Sequence, residues 1–397
     1  MTSRLRLLMR TTTTSALGAL LVLLPRAAVH AQAAPVDFSG VIYPQFRMQT
    51  DDATKNANGG NATSRFDVER VYLTFKMPAG DDGSIRVTTD IFNNGASCSG
   101  CYAGWNIRLK YAYFNYNFLH DINGQKGFNA AVRFGMVHTP VVDLEEGFFP
   151  RYISQTAVER NGFFSSSDVG VAGVLTLPSN WGELFATITN GGGYGTVEQD
   201  PYKDYAARLA LTPWGGGSNM LKTFTIAPWF YAGKTASKYL TTAGSAGTDA
   251  ANGLTKDRAG VFIGLRDRRL TAGVDIANRT ETVETGTSLA TRGTYDNTGA
   301  LTSGFVLVRP MELFASDPKA KSPWGILARV DNYKPYDNTA AAGAQTTSAT
   351  NQLLIYGVWW DLNQKASVSL DVQNLKPQSG STTPESKVLF LHGQINF

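Results

Sequence analysis

Sixteen stretches of this chain alternate apolar and polar residues with a period of two, and most of them run for 10–14 residues. Such alternation sends successive side chains to opposite faces of a strand. In Val71-Tyr72-Leu73-Thr74-Phe75-Lys76 the odd positions are apolar and the even ones mostly polar, and the same phase holds in Ile85–Ile91 and in Ile107-Arg108-Leu109-Lys110-Tyr111. The stretches are 36–49, 66–78, 84–93, 105–118, 129–139, 169–178, 182–191, 203–213, 224–234, 258–267, 269–280, 301–310, 324–335, 352–363, 366–376 and 385–397. Strands of soluble proteins average about 5–6 residues, whereas a tilted strand needs roughly 9–11 to cross a bilayer.

The connections alternate too. Those at 50–65, 94–104, 140–168, 192–202, 235–257, 281–300, 336–351 and 377–384 are long, while Pro78–Gly83, Pro178–Trp181, Asp267-Arg268 and Asn363–Lys365 are tight. Long loops on one rim and short turns on the other, over an even strand count, predict an all-β fold: a transmembrane antiparallel β-barrel of about 16 strands. Closure is required because lipid cannot hydrogen-bond an open sheet edge. The connection 311–323 is longer than a short turn, and Pro44 and Pro228 sit inside stretches where each removes a ladder donor; fourteen or eighteen strands are the neighbouring counts.

The first 31 residues read differently. Met1–Arg10 is positively charged, Ala16–Leu24 is apolar, and Val29-His30-Ala31 fits a small-x-Ala cleavage site. This is the layout of a secretory signal peptide, leaving 32–397 as the barrel and the bacterial outer membrane as its expected location. The chain has 36 Lys+Arg against 32 Asp+Glu; four of those arginines fall in the signal, which has no Lys, Asp or Glu, so the remainder is balanced. That excludes the basic surplus of a nucleic-acid binder. With 43% hydrophobic and 17% charged residues the chain is not disordered, and no linker or composition shift divides it.

In the last stretch Leu389, Leu391, Ile395 and Phe397 share one face while Phe390, His392, Gln394 and Asn396 share the other. An alternating strand ending on an aromatic is similar to the signal read by bacterial barrel-assembly machinery, which we expect as a partner through Phe397.

Several segments resemble the phosphate-selective porin O and P family: Phe66-x-Val68-x-Arg70-Val71-Tyr72-Leu73-Thr74-Phe75-Lys76, Leu109-Lys110-Tyr111-Ala112-Tyr113, Gly135-Met136-Val137-His138-Thr139-Pro140, Ser166-Ser167-Asp168-Val169-Gly170 and Asn190-Gly191-Gly192-Gly193-Tyr194. The similarity runs from about Phe66 to Trp214 and thins beyond. It implies a homotrimeric, sixteen-stranded, water-filled channel in outer-membrane lipid whose third loop folds inward.

Such a channel works by pore width and by the charges at its narrowest point. The polar faces of the second to fifth stretches carry Arg70, Lys76, Arg86, Arg108, Lys110 and Arg133 against Asp90, which predicts a basic pore wall. The segment 140–168 is the expected constriction loop. It carries Asp143, Glu145, Glu146 and Glu159 with Arg151 and Arg160, and Asp168 stands at its exit. Its aromatics Phe148, Phe149, Tyr152, Phe163 and Phe164 are too many for a solvated loop. An acidic loop beside a basic wall creates a transverse field favouring small polar solutes. The acids depart from the arginine- and lysine-lined passage of phosphate-specific family members, so the expectation is passive diffusion of small hydrophilic solutes or anions, phosphate among them.

The remaining signals are smaller. Cys98 and Cys101 predict a loop disulfide more than a metal or redox site, since two thiolates cannot complete a zinc shell. No metal, cofactor or catalytic residue is expected. His138 reads as a hydrogen-bonded loop anchor. Trp181, Trp214, Trp229, Trp324, Trp359 and Trp360 read as interfacial girdles. Two other classes stand as alternatives: a barrel enzyme of protease or phospholipase type, and a structural or adhesive barrel. The first lacks a Gly-x-Ser-x-Gly, and neither accounts for a basic wall facing an aromatic loop.

Overall fold

The computed structural model describes residues 35–93, 104–196, 198, 200–237, 253–287, 291–317, 320–335, 350–377 and 384–397. Residues 1–31 and the pair Cys98 and Cys101 lie outside them. The described strands are β1 (Asp37–Gln49), β2 (Thr63–Pro78), β3 (Gly83–Asn93), β4 (Trp105–Leu119), β5 (Asn129–His138), β6 (Ser167–Thr176), β7 (Gly182–Thr189), β8 (Asp204–Leu211), β9 (Thr225–Thr235), β10 (Leu254–Arg266), β11 (Leu270–Thr285), β12 (Gly293–Val308), β13 (Trp324–Lys334), β14 (Asn351–Asp361), β15 (Ala366–Pro377) and β16 (Ser386–Asn396). Each pairs antiparallel with its sequence neighbour, and β16 pairs β1, so the sheet is a closed sixteen-stranded barrel without a free edge. Every strand expected from alternation is present. The turn helices are α1 (Asp52–Ala57), α2 (Val142–Glu145), α3 (Ala157–Arg160) and α4 (Pro310–Leu313).

The faces are inverted relative to a soluble protein. On β13 the apolar Ile326 and Val330 are exposed while Arg329 and Asp331 are buried. The same holds round the ring, with Ile107, Phe134, Val274, Tyr356 and Leu391 outside and Asp90, Asp275 and Asp371 inside. An apolar exterior and a polar interior is what period two requires of a barrel set in lipid.

Both strand prolines sit where a missing donor costs little. Pro44 lies at a register shift between β1 and β2. Pro228 lies in a gap of the β8–β9 ladder, between the pairs Arg208–Trp229 and Leu211–Ile226. The connection 311–323 holds α4 and does not change the strand count.

Three expectations need correction. First, Tyr111 does not share the outer face of Ile107 and Leu109. Thr88 pairs Tyr111 but Thr89 pairs Leu109, so Lys110 is the extra residue of a bulge and the phase flips, burying Tyr111 inside. Second, most of 281–300 is strand: β11 and β12 pair to the Thr285–Gly293 tip. At 16 residues each and about 3.3 Å per residue, that hairpin rises beyond the apolar band. Third, Trp181, Trp214, Trp324 and Trp360 are exposed, but Trp229 and Trp359 are buried. Adjacent residues 359 and 360 must face opposite ways on a strand, so only one of them can reach lipid.

The barrel seam is closed by the chain ends. Gly40 and Phe397 exchange two backbone hydrogen bonds of 3.0 Å, and the Phe397 ring covers Gly40, where a Cβ would stand 2.2 Å from its Cζ.

Candidate functional site

The segment from Thr139 to Ser166 leaves β5 and returns to β6 with its ends tied together. Thr139 N donates to Ser166 O (3.2 Å) and Thr139 Oγ1 to Ser165 O (2.5 Å). Between these ties the chain turns inward. Phe148, Phe149, Tyr152 and Ile153 join a buried cluster with the wall residues Phe262, Phe305, Leu327, Leu353, Ile355 and Trp359. Val141, Val142, Val158, Phe163 and Phe164 join another with Trp229, Ala277 and Leu301. Each large side chain so buried contributes roughly 1.5–3 kcal/mol, enough in sum to hold the segment inside against β8–β15.

Helices as short as α2 and α3 leave many backbone carbonyls unpaired, and buried ones need donors. The far wall supplies them. Arg266 donates to Gly147 O (2.8 Å), Arg329 Nη1 to Gln155 O (2.6 Å), Arg258 Nη1 to Phe163 O (2.5 Å), and Arg208 to Pro140 O. Gln373 adds a bond to Ile153 O (2.8 Å). Sequence reasoning missed these residues. All four arginines lie at polar positions of alternating stretches, but nothing local says that a loop 60 or more residues away will need them.

The near wall is more heavily paired than expected. Asp90 accepts from Arg70 (2.9 Å) and Arg108 (2.9 Å). Arg86 meets His138 Nε2 (3.2 Å) and lies 4.7 Å over Tyr111. Lys110 lies 3.9 Å from Glu146 and 4.3 Å over Tyr72. Arg133 donates to Asn115 (3.2 Å). Lys76 is exposed at the short-turn end of β2, with no ion pair to the segment among the described residues.

The acidic residues of the segment divide. Asp143 stands 3.6 Å from His138, whose hydrogen bond runs to Arg86 of β3 (3.2 Å) and not to the segment. Glu146 faces Lys110. Glu159 pairs Arg151, which also holds Glu146 and, at 3.2 Å, Glu69 of β2. Glu69 is the extra residue of a bulge in β2, between the pairs Tyr43–Arg70 and Pro44–Val68. Arg160 donates to Ser154 of its own segment (3.4 Å). Glu145 points away from the basic wall, against the carboxyl of Asp275 on β11. Burial, then that carboxyl, raise its pKa well above the usual range. Burial also raises that of Glu146, partly offset by Lys110. Asp168 accepts from the amides of Val169 and Gly191 (both 2.7 Å) and shapes the return of the chain.

Within these pairs, the partner nearer water differs by side. On the near wall Asp90 is fully hidden while Arg70 and Arg108 are 19% and 28% exposed. On the segment the order reverses: Glu146 is 22% exposed against 7% for Arg151 and 5% for Lys110, while the far wall is mixed, with Arg208 at 4% against 35% for Glu183 but Lys256 at 17% against 0% for Asp204. Asp143 is half exposed. Cavities flank the segment on both faces, about 290 Å³ beside Lys256 and Arg258, and about 660 Å³ beside Arg151 and Arg309.

An antiparallel barrel of sixteen strands, apolar outside, polar within and crossed by the inward segment Thr139–Ser166, defines the porin type of fold. Solved structures agree. An anion-selective porin from Comamonas acidovorans superposes with TM-score 0.60 at 9% identity over 92% of this chain and 100% of that one. OmpF of Salmonella typhi in complex with daunomycin gives 0.58 at 10% over 92% and 98%. The trimer form of in-vitro folded OmpT, an outer membrane protein of Vibrio cholerae, gives 0.57 at 12% over 92% and 100%. At such identities the likeness is one of fold. No protein-family model matches the chain, and no curated protein matches it.

Proposed function

We propose that this chain is an outer-membrane porin: a water-filled channel for passive diffusion of small hydrophilic solutes, with a weak preference for anions. It performs no chemistry in this reading. One observation carries it, the opposed order of the ion pairs. Guanidinium groups lie nearest the water along β2–β4, and carboxylates lie nearest it on the inserted segment. This arrangement makes a transverse field with little net charge, which orders water and favours polar over apolar solutes while discriminating weakly by sign. The wall residues are Arg70, Arg86, Arg108, Lys110 and Arg133; the constriction is 140–168, with Asp143 and Glu146 foremost.

The apolar exterior supports an outer-membrane setting, and the fold shared with a trimeric neighbour supports a homotrimer. The resemblance to the phosphate-selective family supports counting phosphate among the permitted anions, and the carboxylates that face the wall speak against a dedicated site for it. The test is single-channel recording in a salt gradient. We expect a small reversal potential of anionic sign and little effect of phosphate on chloride current. Strong cation selectivity, or no conductance at all, would reject the proposal; block by phosphate would restore a phosphate-specific channel.

A further inference from the structure

The connection between β7 and β8 carries the glycine-rich run Asn190-Gly191-Gly192-Gly193-Tyr194, and its path is not that of an external loop. Gly191 and Gly193 have φ of +91° and +69°, the left-handed region open to glycine. The bend so made is fastened on three sides. Gly191 N donates to Asp168 (2.7 Å), Lys256 Nζ donates to Gly191 O (3.2 Å), and Gly193 lies against Ser165, where a Cβ would meet Oγ at 2.8 Å. Beyond the bend Tyr194 reaches β4. Its hydroxyl accepts from Arg108 Nη2 at 2.9 Å, and its ring lies 4.3 Å from the guanidinium carbon.

Strands β5 and β6 lie between β4 and β7. At about 4.8 Å per strand spacing that is roughly 14 Å, so the connection must cross over the interior to make this contact. The Arg108 guanidinium carbon also lies 4.1 Å from the centre of the Phe92 ring. Arg108 thus packs against two rings while its nitrogens donate to Asp90 and Tyr194. A guanidinium flanked by rings keeps its charge, and at 28% exposure Arg108 offers a passing anion only the part of its surface that the rings leave open.

We infer that Tyr194 is a positioning residue that sets anion access to Arg108, and that the β7–β8 connection is a second inward element of the pore, beside 140–168. The inference rests on the channel reading. Removing the ring opens one face of the Arg108 guanidinium to water and widens the passage beside β4. Removing only the hydroxyl keeps the cover.

The test is planar-bilayer recording of wild type, Tyr194→Ala, Tyr194→Phe and the double variant Tyr194→Ala with Arg108→Gln, each first confirmed as folded by its heat-modifiable migration. We expect Tyr194→Ala to raise conductance and shift the reversal potential toward anions, Tyr194→Phe to match wild type in both, and Arg108→Gln combined with Tyr194→Ala to abolish the anionic shift. A Tyr194→Ala channel indistinguishable from wild type would overturn the inference, as would a Tyr194→Phe channel as altered as the alanine variant. If wild type itself does not conduct, the channel reading fails first, and with it this one.

Discussion

Arg329 on β13 donates from Nη1 to the carbonyl oxygen of Gln155, 2.6 Å away and 174 positions earlier in the chain, while its other nitrogens form two bonds of 2.8 and 2.6 Å to Asp331. One buried side chain therefore joins the inserted segment to the barrel wall. The forked, planar guanidinium can satisfy a carboxylate and a carbonyl together, which an ammonium cannot.

Replacing it should cost both connections. Arg329→Leu leaves Asp331 buried without its partner, a loss of about 3–5 kcal/mol, and frees the tip of the segment. Thermal unfolding in detergent should show a clear drop in midpoint, and open-channel current should become noisier. An unchanged midpoint with quiet current would mean that the apolar clusters alone hold the segment.

Charge substitutions on the two sides of the constriction should act in opposite directions. Arg133→Gln removes a cation of the near wall and should move the reversal potential away from anions. Asp143→Asn removes the most exposed acid of the segment and should move it toward them. Shifts of the same sign from both would contradict a transverse field.

The Glu145 carboxyl should make stability depend on pH in a definite sense. Its pKa is raised in the folded state by burial and by Asp275, so the folded protein binds a proton there more tightly than the unfolded chain. The corresponding stability is fully present below the ordinary glutamate value of about 4.3 and is lost as pH rises through the raised value. Glu145→Gln, neutral at every pH, should flatten this dependence and hold the midpoint up at high pH. A wild-type midpoint that climbs with pH across this window would show that another group dominates.

The seam offers a packing test. Gly40→Val places a branched side chain where the Phe397 ring now lies, and overpacking of this kind costs about 1–3 kcal/mol. We expect a lower temperature for the loss of the compact, heat-modifiable form in gel electrophoresis. Gly173, where a Cβ meets nothing within 4 Å, is the matched control, and Gly173→Ala should leave that temperature nearly unchanged.

Strand existence was legible because period two is a local property, and the inverted faces followed from it. The reading failed where one residue altered the count. The bulge at Lys110 moved Tyr111 to the inner face, and no residue type near it announces a bulge. The basic wall was legible as a set of positions, but Asp90 proved to bind both Arg70 and Arg108. Arg208, Arg258, Arg266 and Arg329 were overlooked because their partners are backbone carbonyls of a distant segment, and carbonyls leave no trace in residue identity.

By itself, then, the sequence determined a barrel of about sixteen strands and the aromatic character of 140–168, since alternation and apolar content act through neighbours along the chain, while the exact count of sixteen was settled by the pairing. Only the tertiary structure decided which member of each ion pair meets water, that Glu145 faces away from the basic wall, and that Tyr194 lies across Arg108. Those outcomes depend on register and on contacts between residues many strands apart, and they decide the field that a solute would meet.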